Sequence, residues 1–284
     1  MKNIKFLALL PVLMLSACGL GTKLNEDQAK ERKDAINDKL ADMAEDDNYK
    51  NSKMSIVIDS FNLDKDGNKT KVKQTFKIES NQDGETHAYA EFVAGSEKQY
   101  HDFYLVNYDD SETEEDQIIY AKTYDSEAED EKEVVICVSK GASSTEFSYA
   151  MQAFAAEAAV PLAAIAAYAN PETVVASFEN EASDDYDVDI SYYSGINGDF
   201  SIKCVANLSG DVEVPEDQED LYTKQSNCIV TYSKDVLSSF DSSSKMVSGE
   251  TTSIRGSVAY QKSKIKISLP NGWKDKLDAK EEAE

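Results

Sequence analysis

Two runs decide the fold: Lys53-Met-Ser-Ile-Val-Ile-Asp-Ser60 and Lys71-Val-Lys-Gln-Thr-Phe-Lys-Ile78, with Asp64-Lys-Asp-Gly-Asn68 between them. Apolar residues fall at every second position: Met54, Ile56 and Ile58, then Val72, Phe76 and Ile78. A period of two is a strand with one buried face. The five-residue link rich in Asp, Gly and Asn reads as a hairpin turn. Pairing about Gly67 sets Ile58 opposite Phe76 and Ile56 opposite Ile78, so both strands bury the same side.

Working outward, four more alternating runs follow, at about 85–95, 99–108, 117–124 and 133–139, separated by turns rich in Gly or acid. The first half therefore predicts about six strands in a meander. Residues 144–180 interrupt it. Ser143 and Glu146 form a capping box, eleven alanines lie from Ala150 to Ala169, and Asn170-Pro171 opens a further short helix to about Glu179. Alanine is weakly hydrophobic, and Gln152, Glu157 and Pro161 interrupt the run, so it reads as helices lying close on a sheet and not as a membrane span. Period two then returns at 186–193, 198–208, 226–234, 252–260 and 263–269, making about eleven strands. Ahead of the sheet, Asn25 caps a polar helix running to about Asp46, with Gln28 completing the box and Ala29, Ile36, Leu40 and Met43 as a narrow apolar stripe. The expectation is an α+β fold: a strongly curved antiparallel sheet, or half-barrel, over residues 24–272, then a charged tail over 273–284.

At the N-terminus Lys2 and Lys5 precede an apolar run twelve residues long, Phe6 to Ala17, interrupted by Pro11. That is too short for the roughly 20 residues of a membrane-spanning helix and fits the apolar core of a signal peptide, residues 1–17. The run closes on Leu15-Ser16-Ala17-Cys18, which resembles the lipobox of bacterial lipoproteins. The resemblance implies cleavage before Cys18, a diacylglyceryl group on its sulfur, and a tether over residues 18–23. Two acyl chains would anchor the protein stably to a bacterial cell membrane or outer membrane, on its extracytoplasmic side.

Charge and composition narrow the function. With 29 Lys and Arg against 54 Asp and Glu, the net charge is −25 and the pI near 4.4. Nucleic acid is an unsuitable partner. The acidic runs Asp109–Asp116 and Asp125–Glu133 flank one predicted strand and so lie at its opposite ends. They read, with Asp184–Asp189 and Asp211–Asp220, as solvated loops and not as one metal site. Asp64–Asn68 opens like a calcium loop, but Lys69 and Thr75 stand where its Gly and bidentate Glu belong. The two histidines, His87 and His101, are too few for a zinc triad, and no Cys-x-x-Cys, phosphate loop or nucleophile elbow occurs. No metal, cofactor or catalytic residue is expected, and the chain reads as a non-enzyme. Fifteen tyrosines lie mostly in strands, where packing accounts for them.

Export places the remaining cysteines where disulfides persist. If 198–208 and 226–234 form a hairpin, pairing Ile202 with Val230 and Phe200 with Tyr232 sets Cys204 opposite Cys228, and a cross-strand disulfide is the expectation. Cys137 reads as a small core residue.

The element order (lipobox, polar helix, about six strands, helical insert, about five strands) resembles LolA-type lipoprotein carriers and LprG-type or LppX-type lipoproteins. That resemblance implies a curved sheet wrapped around helices, with an apolar cavity for a lipid or other hydrophobic ligand. It rests on no residue motif. The helices are few and poor in bulk, so the inner face should be underfilled, with Met54, Ile56, Ile58, Phe76 and Ile78 of the sheet and Phe154, Leu162 and Ile165 of the insert as candidate walls. The alternative is a packed surface lipoprotein that contacts other proteins or serves as a structural module of the envelope.

Overall fold

In a computed structural model, residues 20–43, 49–63, 68–108, 116–129, 131–141, 144–183, 185–195 and 197–281 are described. Cys18, the turn residues Asp64–Gly67 and the cap Ser143 lie outside them.

The strands are β1 (Thr22–Lys23), β2 (Ser52–Leu63), β3 (Lys69–Ser80), β4 (Thr86–Ala94), β5 (Glu97–Tyr108), β6 (Asp116–Asp125), β7 (Glu133–Ser139), β8 (Tyr186–Ser194), β9 (Phe200–Leu208), β10 (Thr223–Ser233), β11 (Val236–Met246) and β12 (Thr251–Tyr260). The helices are α1 (Glu26–Met43), α2 (Ser144–Ala169), α3 (Pro171–Glu179) and α4 (Trp273–Glu281), with a 3₁₀ turn at Glu216–Gln218. All strands belong to one antiparallel sheet in the order β1-β8-β9-β10-β11-β12-β2-β3-β4-β5-β6-β7. It is two meanders joined by the long β12–β2 ladder, Thr251↔Phe61 to Tyr260↔Ser52. The sheet is open, with β1 and β7 as its edges.

Local chemistry explains the helices. Asn25 accepts from the Gln28 backbone N–H at 2.9 Å while Gln28 accepts back from Asn25 N–H at 3.1 Å, a reciprocal cap on α1. Asn170 Oδ1 accepts from the backbone N–H groups of Glu172 and Thr173, with Pro171 at the first helical position of α3. In α2 the buried positions Phe147, Phe154, Ala158, Pro161 and Ile165 follow helical spacing. Pro161 removes an N–H donor, and the segments Thr145–Ala156 and Pro161–Ala169 meet at 47°. Among the described residues no single helix is long and apolar enough to cross a membrane.

Four sequence expectations need correction. The β2–β3 register centres on Asp66, one residue earlier than Gly67, so Ile56 faces Phe76, Met54 faces Ile78 and Ile58 faces Gln74. A one-residue shift of the turn moves each partner by two, which preserves the buried face. Strand β11 was not anticipated: its Ser238, Ser239, Ser242, Ser243 and Ser244 mask the period of two. The alternating run 263–269 is not a strand. Ile265 and Ile267 are buried, but the backbone there bonds to side chains, Asn81 Nδ2 donating to Ile265 O at 3.0 Å and Ile265 N–H donating to Asn51 Oδ1 at 3.3 Å. Finally, the charged tail begins as helix α4, whose Trp273 and Leu277 pack on Ile118, Tyr120 and Cys137.

These two outcomes define the faces. The 263–269 segment and α4 cover the outer face of β5–β7, through Tyr104, Val106, Ile118 and Tyr120. Helices α1, α2 and α3 cover the inner face, where Ala29, Ile36, Ile165, Val174, Val175 and Phe178 meet Ile56, Phe200, Ile202, Val230, Tyr232, Leu237 and Phe240. A second inner cluster joins Phe154 and Ala158 of α2 to Ile78, Ala88, Phe103 and Ala121.

Candidate functional site

The inner face is covered unevenly, and the register shows where. One cross-strand row reads Tyr192–Ile202–Val230–Phe240–Gly256–Ile56–Phe76–Ala90–His101. Its β9–β12 and β2 portion lies under the helices: Ile202, Val230, Phe240 and Ile56 are all at most 2% exposed. The next row, Ile190–Cys204–Cys228–Ser242–Ile254–Ile58–Gln74–Phe92–Gln99, is fully buried only at Cys204 and Cys228; Ile190 is half-buried, and from Ser242 onward the residues are half-buried or exposed. A third row adds Ser226, Ser244, Thr252 and Ser60, directly opposite one another in turn on β10, β11, β12 and β2. The helices thus roof one end of the strands and leave the other open.

Two cavities lie on this open strip. The larger, about 340 Å³, sits between the α2–α3 corner and β10–β12. Its walls combine Tyr168, Val174, Phe178 and Ile254 with the hydroxyls of Thr173, Ser177, Ser226, Ser242, Ser244 and Thr252. The smaller, about 210 Å³, lies over β3–β5 against Gln74, Phe76, Ala90, Phe92, Gln99 and His101. Ile254 and Ile58, adjacent across the β12–β2 ladder, connect the two along the second row. From Ser242 to Gln99 that row crosses five inter-strand steps of about 4.8 Å, a trough about 24 Å long.

The roofed end is tightly built. Tyr168 stacks on Phe240 with ring centroids 4.2 Å apart and planes 19° apart. Phe240 lies over Gly256, where any Cβ would stand 2.1 Å from the ring. Tyr232, fully buried, donates its hydroxyl to the Tyr168 carbonyl at 2.8 Å, fixing the end of α2 on the sheet. Burial pushes the Tyr168 and Tyr232 hydroxyls above their ordinary range.

Among the described residues no cation lines the larger cavity, and Glu181, at its rim, is the one carboxylate; partial burial raises its pKa. Among the described residues no group of three or more His, Cys, Asp and Glu is placed to hold a metal ion. His87 lies on the outer face, 2.7 Å from Asp102 and stacked on Tyr104, while His101 belongs to the inner face beside Ala90. Tyr89, Tyr100 and Tyr124 stack on one another across β4–β6, also on the outer face.

The predicted cavity walls fall into three groups. Ile56, Ile78, Phe154 and Ile165 are close-packed core, at most 9% exposed, and Met54 packs between the two inner clusters. Leu162 is 45% exposed and lines neither cavity. Phe76 lines the smaller cavity, and Ile58 lies on the strip between the cavities. The sequence reading missed the serine and threonine wall, whose only signal was the unusual hydroxyl density of 238–252.

Cys204 and Cys228 are directly opposite, as the hairpin register required. Both are buried free thiols, so the expected disulfide is not formed. Burial pushes each to about 12, which leaves almost no thiolate to begin exchange. Cys137 is a buried thiol in the outer-face core, pushed to about 11.

No protein-family model matches this chain, and no curated protein does. Among solved structures it is similar to a DUF1329 family protein from Desulfovibrio piger, at 13% identity over 86% of this chain and 96% of that one, with a TM-score of 0.22. A second similarity is to a β-barrel-like protein of the domain of unknown function DUF1849 from Brucella abortus, at 10% identity over 74% of this chain and 96% of that one, TM-score 0.17. Likenesses this distant carry no argument about fold or chemistry.

Proposed function

We propose that the chain is a lipid-anchored extracytoplasmic binding protein whose half-barrel sheet takes a hydrophobic ligand along the open inner strip. The observation that carries the reading is the half-roofed inner face: Ile254, Ile58, Phe76, Ala90 and Phe92 form an apolar floor that the described helices leave only half-buried. Apolar floor left wet at the mouth of a packed core is the usual form of a ligand site. The trough exceeds the roughly 15 Å of one bilayer leaflet, so an acyl chain fits along it. The lipobox cysteine Cys18 supplies the anchor, and the short tether to β1 holds the sheet near the membrane from which such a ligand would come.

The test is binding of the uncharged fluorophore N-phenyl-1-naphthylamine to the full-length chain carrying Cys18→Ser, alone and with Ala90→Trp. Ala90 is half-buried on the trough floor between Phe76 and His101, so an indole there fills the smaller cavity without entering the packed clusters. The reading expects saturable dye enhancement that Ala90→Trp abolishes while thermal stability stays within about 0.5 kcal/mol. Absence of saturable binding in the parent chain would support the packed-module alternative.

A further inference from the structure

Within that reading, on which this inference rests, we infer that the larger cavity receives the polar head of the ligand and that this head is uncharged and bears hydroxyls. The two cavities differ in chemistry along one trough. At the β3–β5 end Phe76, Ala90 and Phe92 share the wall with the amides of Gln74 and Gln99, the His101 imidazole, Tyr100 and the Glu91 carboxylate. At the β10–β12 end it is a ladder of hydroxyls, Ser226–Ser244–Thr252, continued by Ser60 on β2. Ladder neighbours stand about 4.8 Å apart, a spacing fixed by the backbone. Among the described residues, Ser226, Ser244 and Thr252 make no side-chain hydrogen bond to another protein group. Ser242, by contrast, is engaged with Tyr168 and Cys228. Free hydroxyls both donate and accept, and they match a partner that does the same.

Charge excludes the other heads. A phosphate or carboxylate calls for Arg, Lys or a cluster of N–H donors, and among the described residues the wall offers no cation. Glu181 stands at the rim of a chain with net charge −25, so an anion entering there meets repulsion. A cationic head would find a single carboxylate among the described lining residues, Glu181 at the rim, and no second acid to complete its pairing. An alcohol head meets neither penalty, and its hydroxyls replace the water lost on entry with the ladder's own. Tyr168 and Phe178 give its carbon faces an apolar wall.

The experiment measures binding to the full-length Cys18→Ser chain of three ligands sharing one sixteen-carbon chain: 1-monopalmitoylglycerol, palmitate and lysophosphatidylglycerol, each by displacement of the uncharged dye. The inference expects monopalmitoylglycerol to bind at least tenfold more tightly than either anion at low salt. The double substitution Ser244→Val and Thr252→Val should reduce that preference to less than threefold while hexadecane, the headless chain, still binds at least as tightly as to the parent. Retained hexadecane binding also shows that the variant is folded. Equal affinity for all three ligands, a preference for an anion, or a preference that survives the double substitution overturns the head assignment and leaves the trough reading intact. If hexadecane and all three ligands fail to displace the dye from the parent chain, the trough reading itself falls, and the inference with it.

Discussion

Replacing Gly256 with Ala tests how the helical roof is seated on the sheet. Gly256 has no left-handed backbone requirement, so alanine suits its conformation; the obstacle is Phe240. The new methyl would stand 2.1 Å from Cζ and 2.2 Å from Cε1 of that ring. This is about 1.5 Å short of ordinary carbon contact. Phe240 cannot retreat toward the helices, because Tyr168 is stacked on its other side and is itself tied through its carbonyl to Tyr232. Overpacking of this kind costs about 1–3 kcal/mol. Loss of glycine's unfolded-state freedom returns about 0.5–1 kcal/mol, leaving about 0–2.5 kcal/mol of destabilisation, and with Phe240 held by Tyr168 the upper part, about 1–2.5 kcal/mol, is expected. At about 2–4 °C per kcal/mol, Tm should fall by about 2–10 °C. Urea denaturation of Gly256→Ala, Phe240→Leu and the double variant forms a cycle, since the smaller Leu makes room for the methyl. A favourable coupling of about 1 kcal/mol or more is expected. A neutral or stabilising Gly256→Ala, or additive substitutions, would refute the close seating of Phe240 between strand and helix.

Ile165→Trp probes a position that the sequence placed in the cavity and the structure places in the core at 8% exposure; thermal unfolding should show a loss of about 1–3 kcal/mol, whereas unchanged stability would restore the cavity assignment. Burial pushes Cys137, Cys204 and Cys228 to about 11, 12 and 12, while an unfolded thiol titrates near ~8.5. Above that value the unfolded chain releases protons that the folded chain keeps, so with the thiols reduced their contribution is whole below about pH 8.5 and declines as pH rises toward 12, by up to ~1.4 kcal/mol per unit for each thiol. The urea midpoint should therefore drop between pH 9 and 11; a midpoint that holds or rises contradicts the buried thiols. Cys18→Ser should shift the protein from the membrane fraction to the soluble extracytoplasmic fraction, and unchanged fractionation would remove the anchor.

Much of the sheet was legible because one face is buried. The 200–208 and 223–233 strands pair as Phe200–Tyr232, Ile202–Val230 and Cys204–Cys228, as their shared alternation required. What failed did so for physical reasons. In β11, serines occupy both faces, so its strand character comes from the ladders to β10 and β12 and not from its own apolar pattern. In 263–269 the pattern is genuine, but Asn51 and Asn81 satisfy the backbone, so burial proceeds without a ladder. The site was harder than the fold. Large apolar residues such as Ile56 and Phe154 mark what becomes close-packed, and an opening arises where the roof stops. That boundary is set by the bend near Pro161 and the landing of Tyr168 on Phe240, which are long-range facts that no strand announces.

Photo-crosslinking tests the trough most directly. The full-length Cys18→Ser chain would be irradiated with a diazirine-bearing palmitoyl glycerol and the adducts mapped by peptide mass spectrometry. The account predicts labelling concentrated on the strands that carry Ile58, Phe76, Phe92 and Ile254, competed away by unlabelled monopalmitoylglycerol. Labelling confined to the exposed face of α2, around Tyr149 and Leu162, or labelling that resists competition, would contradict it.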